Sequence, residues 1–386
     1  MNRILAKKQP AGLTVGKIIL LVSLSLLFLF LSGVWLWLNV YTPSLNSLDF
    51  PELGDWDFGM GIFIEEGMEG EDRPDSASAG EQITLERKQG ESYKFLIVGR
   101  DESGLLTDVV MLLHFNVKDS KIGLLSIPRD SWINNSMYTG RINAAVAEGF
   151  NASRRQGKDR DEALTDGITF LRHVIRFTFG LPTDGYISIN LSGFRTLVDA
   201  VGGVEMDVPQ AMRYSDPYQN LHINLRAGVQ TLDGRQAEHL IRFRSGYTDA
   251  DIGRIRTQQK FLAALAKKMI KFDLPHLRRI SNIAATNVAT NLSAANIAWF
   301  AAKMTEVGLE NIVMHTLPGE GAWTSGGAAV LSVYKPETIQ LINGFYNPHL
   351  EDIPESNFNI FEISRIYANP THINLEGTTM ADLLGN

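Results

Sequence analysis

Two aspartates, a proline-ended strand and a run of arginines are the residues whose types and spacing could do chemistry. Asp101 follows the apolar run Phe95-Leu96-Ile97-Val98-Gly99 and Asp108 precedes Val109-Val110-Met111-Leu112, so two carboxylates share one short inter-strand loop. A hard cation with oxygen ligands could sit there, since Mg²⁺ takes one or two carboxylates together with phosphate oxygens. Loop aspartates also serve as plain turn formers, and the pair alone leaves both readings open. Ser126-Ile127-Pro128-Arg129-Asp130 closes the next apolar run. Proline cannot continue a ladder, which leaves Arg129 at a strand end near the aspartates if the strands are neighbours, or else in a surface pair with Asp130. Arg242-Phe243-Arg244, Asp251, Arg254 and Gln258 follow downstream. Arg242 and Arg244 share a face if the chain there is extended, and Asp251, Arg254 and Gln258 share one on a helix. Guanidiniums near a helix N-terminus suit a phosphate clamp, because the fork and the helix N–H groups both donate. A solvated charged surface is the plainer alternative.

Other matches fail on context. Ser332-Val333-Tyr334-Lys335 fits S-x-x-K, but Pro336 follows directly and no K-T-G triplet exists. There is no H-E-x-x-H, Walker loop or G-x-S-x-G.

These residues need a scaffold, and the apolar pattern supplies one. Lys94–Gly99, Val109–Asn116, Lys121–Pro128 and Gly185–Asn190 read as strands bounded by turn residues. Glu162–Phe179, Ser192–Val201, Arg235–Ile241, Ile252–Phe272 and Ala294–Gly308 read as helices, with Asp233 and Gln236 spaced as a capping box. Strands mixed with helices imply a layered α/β domain. With 44% hydrophobic and 20% charged residues over 386 positions, a large core can be buried. The net charge of −7 offers no footprint for wrapping a nucleic acid, and the absence of cysteine excludes disulfides and thiolate chemistry.

Ile18 to Leu38 is 21 residues without a charge, about 31 Å of helix and enough to cross a hydrocarbon core. Trp35-Leu36-Trp37-Leu38 lacks a small-x-small cleavage signal, which favours an uncleaved anchor. Arg3, Lys7, Lys8 and Lys17 precede it with no acidic residue, so the N-terminus is expected in the cytoplasm. From Asp49 to Glu81 there are eleven acidic residues and one basic, the composition of a solvated tether. The expected organisation is a cytoplasmic tail (1–17), a transmembrane signal anchor (18–40), an acidic linker (41–90) and an extracellular domain (91–386).

Taken in order, the anchor, the strand-end aspartates, Ser126–Asp130, Arg141-Ile142-Asn143-Ala144-Ala145, Val198-Asp199-Ala200-Val201-Gly202-Gly203-Val204 and the arginine series resemble the LytR-CpsA-Psr family, most closely over 93–268. The resemblance implies a three-layer α/β/α domain with a central mixed sheet and an apolar cavity for lipid. It implies a cell-wall ligase moving a glycopolymer, such as teichoic acid or capsular polysaccharide, from a polyprenyl-pyrophosphate carrier to a peptidoglycan acceptor. Asp101 and Asp108 would then hold Mg²⁺. Arg129, Arg242, Arg244 and Arg254 would clamp the phosphates with Gln258 as a further donor, and Asp251 would orient arginines or assist proton transfer. Arg141 stands where the family often has lysine. The arginine usual two positions before the second aspartate is Leu106 here, a loss that Arg100 could offset. The rival readings are a hydrolase using water at the same site and a non-catalytic lipid-binding regulator.

At 100° per residue, Arg254, Gln258, Leu262, Leu265 and Met269 fall within about 60° of Asp251. The stripe turns from polar to apolar along its length, as an ordinary core helix can do and as an amphiphile with a pyrophosphate head and a prenyl tail would require. The charge asymmetry around the anchor carries the first prediction: protease added to intact protoplasts removes the domain from Tyr93 onward. Full protection would reverse the assigned orientation.

Overall fold

The computed structural model describes residue 85 and residues 91–385, except 102–103, 218–220, 246, 248–250, 273–275, 277–279, 281–282, 284–286 and 364–373. The expected tail, anchor and nearly all of the linker lie outside the described residues. Among the described residues no helix is long and apolar enough to cross a membrane.

The chain runs β1 (Ser92–Arg100), β2 (Thr107–Asn116), β3 (Lys121–Ile127), β4 (Trp132–Asn134), β5 (Thr139–Arg141), α1 (Ala145–Arg155), α2 (Arg160–Phe179), β6 (Gly185–Asn190) and α3 (Leu191–Ala200). There follow β7 (Val204–Val208), β8 (Met212–Asp216), β9 (Leu221–Leu225), β10 (Gly228–Leu232), α4 (Gly234–Arg242), α5 (Asp251–Met269), β11 (Val288–Thr290) and α6 (Ala294–Met304). The last elements are β12 (Ile312–Thr316), β13 (Gly319–Trp323), β14 (Ala329–Val333), α7 (Lys335–Leu341), β15 (Thr378–Thr379) and α8 (Met380–Leu383).

The central sheet has the order β11-β6-β1-β2-β3-β12-β15. It is mixed: β1 is parallel to β6 and antiparallel to β2, and β3 is antiparallel to β2 and parallel to β12. Alternation sends successive side chains to opposite faces. On one face Leu96, Leu112 and Leu125 stand side by side, as do Val98, Val110 and Ile127, and both rows pack with Ile168, Leu171, Val174 and Ile175 of α2. On the other face Tyr93 and Phe95 each meet the Phe300 ring of α6 edge-on at 4.9 Å. Helices therefore cover both faces, which is why the middle strands read as nearly unbroken apolar runs.

Two local devices set the helices. A capping box at Asp159 and Glu162 starts α2 two residues before the pattern suggests. α1 crosses α2 closely, because a Cβ on Gly149 would lie 2.6 Å from the Phe170 Cβ and one on Gly167 would lie 2.5 Å from the Val146 carbonyl. A second core gathers Val204, Met206 and Val208 of β7, Leu221, Ile223 and Leu225 of β9, Leu240 of α4 and Phe261 and Ala264 of α5.

His315 of β12 is buried, and its Nδ1 lies 2.8 Å from the Tyr346 hydroxyl. Burial pushes its pKa down to about 4, against an opposing pull from the backbone of Glu376 and Leu375. The unfolded chain takes the proton first, so this contribution is intact above pH 6.5 and is lost as pH falls toward 4. The loss should approach ~3 kcal/mol. Urea titrations at pH 7 and pH 4.5 should show that fall, and His315→Gln should reduce it.

Candidate active site

The β1–β2 turn is built on Asp101. Its amide donates to the Leu106 carbonyl at 2.9 Å, and its Oδ1 accepts the N–H groups of Gly104 (2.9 Å), Leu105 (3.3 Å) and Leu106 (3.2 Å). Asp101 is thus a turn former, whatever else it holds. The ladder slips beside it: Gly99 faces Val109 but Arg100 faces Thr107, leaving Asp108 as the extra residue of a bulge. Bulges re-aim side chains and recur beside active sites.

Asp108 Oδ1 accepts from Arg129 Nη1 at 2.8 Å and from Arg244 Nη2 at 3.3 Å. Arg129 arrives there because β2 and β3 are neighbours, with Val110 opposite Ile127, and Pro128 ends the ladder. The plainer pairing coexists with this one: Arg129 Nε is 3.6 Å from Asp130, whose other oxygen is 3.8 Å from Arg141 Nε. Arg141 Nη2 also donates to the Ala329 carbonyl at 2.8 Å, tying β5 to β14.

Arg242 and Arg244 take different carboxylates. Arg242 is the last residue of α4, not part of an extended run, and its Nη1 donates to Glu238 one turn back at 2.9 Å. Glu238 is 4% exposed, and its second oxygen takes Arg195 of α3 at 2.6 Å. A Cβ on Gly234 would strike the Arg195 carbonyl, so glycine lets α3 and α4 approach closely enough for that bridge. Removing Glu238 would take a nearly buried acceptor from both guanidiniums, a larger loss than breaking an exposed pair.

Asp251 is the first residue of α5. Arg254, one turn on, is 2% exposed, and Gln258 donates to the Ile241 carbonyl at 3.1 Å. Leu262 and Met269 are half-buried, and Leu265 packs against the second core. Arg100 donates to Ser188 of β6 at 2.9 Å and to the Gly104 carbonyl, and among the described residues it makes no bond to Asp108. Burial, then neighbouring Arg160, lowers its pKa. It therefore serves the β6 side of the turn.

Sequence reasoning passes over Glu238, Arg195 and Gln259. The spacing of Glu238 and Arg242 was a legible i,i+4 signal. Arg195 carried none. Gln259 Nε2 lies 3.3–3.5 Å from Ser126 Oγ, the His315 carbonyl and Thr316 Oγ1, joining α5 to the ends of β3 and β12. Chemically, paired guanidiniums of this kind can hold a phosphate: Asp108 lies between Arg129 and Arg244, Asp130 between Arg129 and Arg141, and Glu238 between Arg195 and Arg242.

Comparison with known proteins gives this arrangement its context. A polyisoprenyl-teichoic acid–peptidoglycan teichoic acid transferase TagU of Oceanobacillus iheyensis is 27% identical over 69% of this chain and 78% of its own length. The cell wall biosynthesis protein LcpA of Corynebacterium glutamicum is 26% identical over 71% of this chain but only 55% of its own. Among solved structures, protein gbs0355 from Streptococcus agalactiae superposes with a TM-score of 0.56 at 21% identity, covering 66% of this chain and 86% of that one. A structure described as TagT bound to LIIa-WTA superposes with a TM-score of 0.52 at 20% identity, covering 74% and 98%. These likenesses bear out the α/β fold with its central mixed sheet. The LytR_cpsA_psr family model matches residues 63–343, and the chain belongs to that family.

Proposed function

We propose that the chain is a phosphotransferase moving a glycopolymer, of teichoic acid or capsular polysaccharide type, from a polyprenyl-pyrophosphate carrier to peptidoglycan. Family membership and the named activity of its TagU relative support this reading. The observation that carries it is Asp108 shared by Arg129 and Arg244, which brings two guanidiniums together beside the β1–β2 turn. In the proposed step the acceptor hydroxyl oxygen bonds to the sugar-bearing phosphorus. The bridging P–O bond breaks, polyprenyl phosphate leaves, and the hydroxyl proton passes to a base, a role the family resemblance gives to Asp251. The arginines hold the phosphates and neutralise charge as it moves to the leaving oxygen. The prenyl tail would run along α5 past Leu262 and Met269. The reading includes the 18–40 helix as anchor and an extracellular domain.

Mg²⁺ belongs to this proposal through Asp101 and Asp108. Asp108 Oδ2 makes no hydrogen bond among the described residues, and both carboxylates flank one turn. No cluster of three or more metal-ligating side chains occurs among the described residues. An ion held by the two aspartates would complete its shell with phosphate and water. Bound there, Mg²⁺ would neutralise pyrophosphate oxygens.

Two outcomes are expected. Excess chelator and Asp108→Ala should each abolish turnover. Asp108→Ala is the cleaner probe, because Asp101→Ala also strips the acceptor from three amides. Wild-type turnover in chelator would remove the metal from the proposal. In calorimetry, Arg129→Ala and Arg244→Ala should each weaken polyprenyl-pyrophosphate binding at least about tenfold, with lysine a poor substitute. Unchanged affinity would take both out of the site. Mass spectrometry of the product separates polymer joined to glycan from free polymer, the mark of a hydrolase.

A further inference from the structure

Trp323 ends β13 with 69% of its surface exposed, whereas Trp299 in the core is 4% exposed. Glu320, Ala322 and Val330 turn inward on the same hairpin and are buried, so Gly321, Trp323 and Ala329 form the outward side of its tip. Trp323 faces Ala329 across the strand pair, and a Cβ placed on Gly321 would meet nothing within 4 Å. The result is a flat shelf: an indole flanked by a methyl group and by a bare backbone. Among the described residues no ring stacks on it.

The shelf is stiff and tied to the arginine site. Its turn is closed by Thr324 N–H to the Ala328 carbonyl (3.0 Å), Gly327 N–H to the Thr324 carbonyl (2.9 Å) and Ala328 N–H to Thr324 Oγ1 (3.1 Å). β14 is fastened to the strand exit carrying Arg129, since Leu331 N–H donates to the Asp130 carbonyl at 2.9 Å. Arg141, which grips the Ala329 carbonyl directly opposite Trp323, is the same residue that faces Asp130 in the clamp. Hydrogen-bonded backbone thus connects the hairpin that carries the indole to the segment that carries Arg129 and Arg141.

Resting on the transferase reading, we propose that Trp323, with Gly321 and Ala329 beside it, is the stacking platform for the acceptor glycan strand. Tryptophan presents a wide, flat face at little entropic cost, and aromatic side chains of this kind are the usual anchors of binding sites. The carrier is anchored by its phosphates. The acceptor has no phosphate for the arginines to read, so its hold must come from the C–H faces and acetamido groups of its N-acetylhexosamine rings. A flat indole suits the C–H faces, and the polar backbone at the hairpin tip suits the acetamido groups.

The test uses the full-length protein in detergent, with uncrosslinked peptidoglycan strands as the probe. Trp323→Ala should weaken strand binding roughly tenfold, as loss of a central aromatic anchor does. It should leave the affinity for polyprenyl pyrophosphate and the thermal midpoint unchanged, and Trp323→Phe should recover part of the loss. Unchanged strand affinity in Trp323→Ala overturns the proposal. So does weakened binding of the lipid-linked donor instead, or lost association with phosphatidylglycerol vesicles while strand binding persists, which would mark a membrane contact. If the wild type fails to turn over the carrier yet loses strand binding on Trp323→Ala, the transferase reading falls and the glycan shelf stands.

Discussion

Arginines repel one another, and the carboxylates placed between them answer that repulsion. Asp108, Asp130 and Glu238 each sit between two guanidiniums. A carboxylate shared in this way holds both partners in place and cancels only part of their charge. Forked donors held in this way are oriented in advance, which is what recognition of a phosphate group needs. Glu238 differs from the two aspartates in being almost fully buried, so its pairings tolerate less rearrangement than those of Asp108.

The backbone features follow from the need to bring distant segments to one place. A bulge frees Asp108 from the regular ladder, a proline stops β3 where Arg129 is needed, and a glycine lets α3 meet α4. Gln259 then ties α5 to the ends of β3 and β12. Charge and scaffold are therefore set by few residues, each of a type chosen for conformation as much as for its side chain.

Much of the central sheet was legible in the sequence. β1, β2, β3 and β6 sit where the apolar runs lie, since strands buried on both faces leave little ambiguity. The Asp233 capping box likewise marks the start of α4. Its end was harder, because Phe243 turns extended with no glycine or proline to announce it, and so Arg242 falls inside the helix. α1 went unread because Ala, Gly, Asn and Ser interrupt its apolar face. The strands β7 and β9 alternate buried and exposed with period two, but each is only five residues long. Pairing across the fold, as in Arg195 with Glu238, depends on packing that no local window contains.

The parallel pairing of β3 with β12 has a consequence for how the chain reaches this state. Ser126 lies opposite Thr316, so one edge of β3 stays open until roughly 190 further residues have been made. Closing a loop of that length is entropically costly and slow, and the uncovered apolar edge invites pairing with other chains in the meantime. The arginine site lies at the end of that same strand. Its surroundings are therefore in place only after β12 and β14 have been made, and a shorter nascent chain carries the arginines without them.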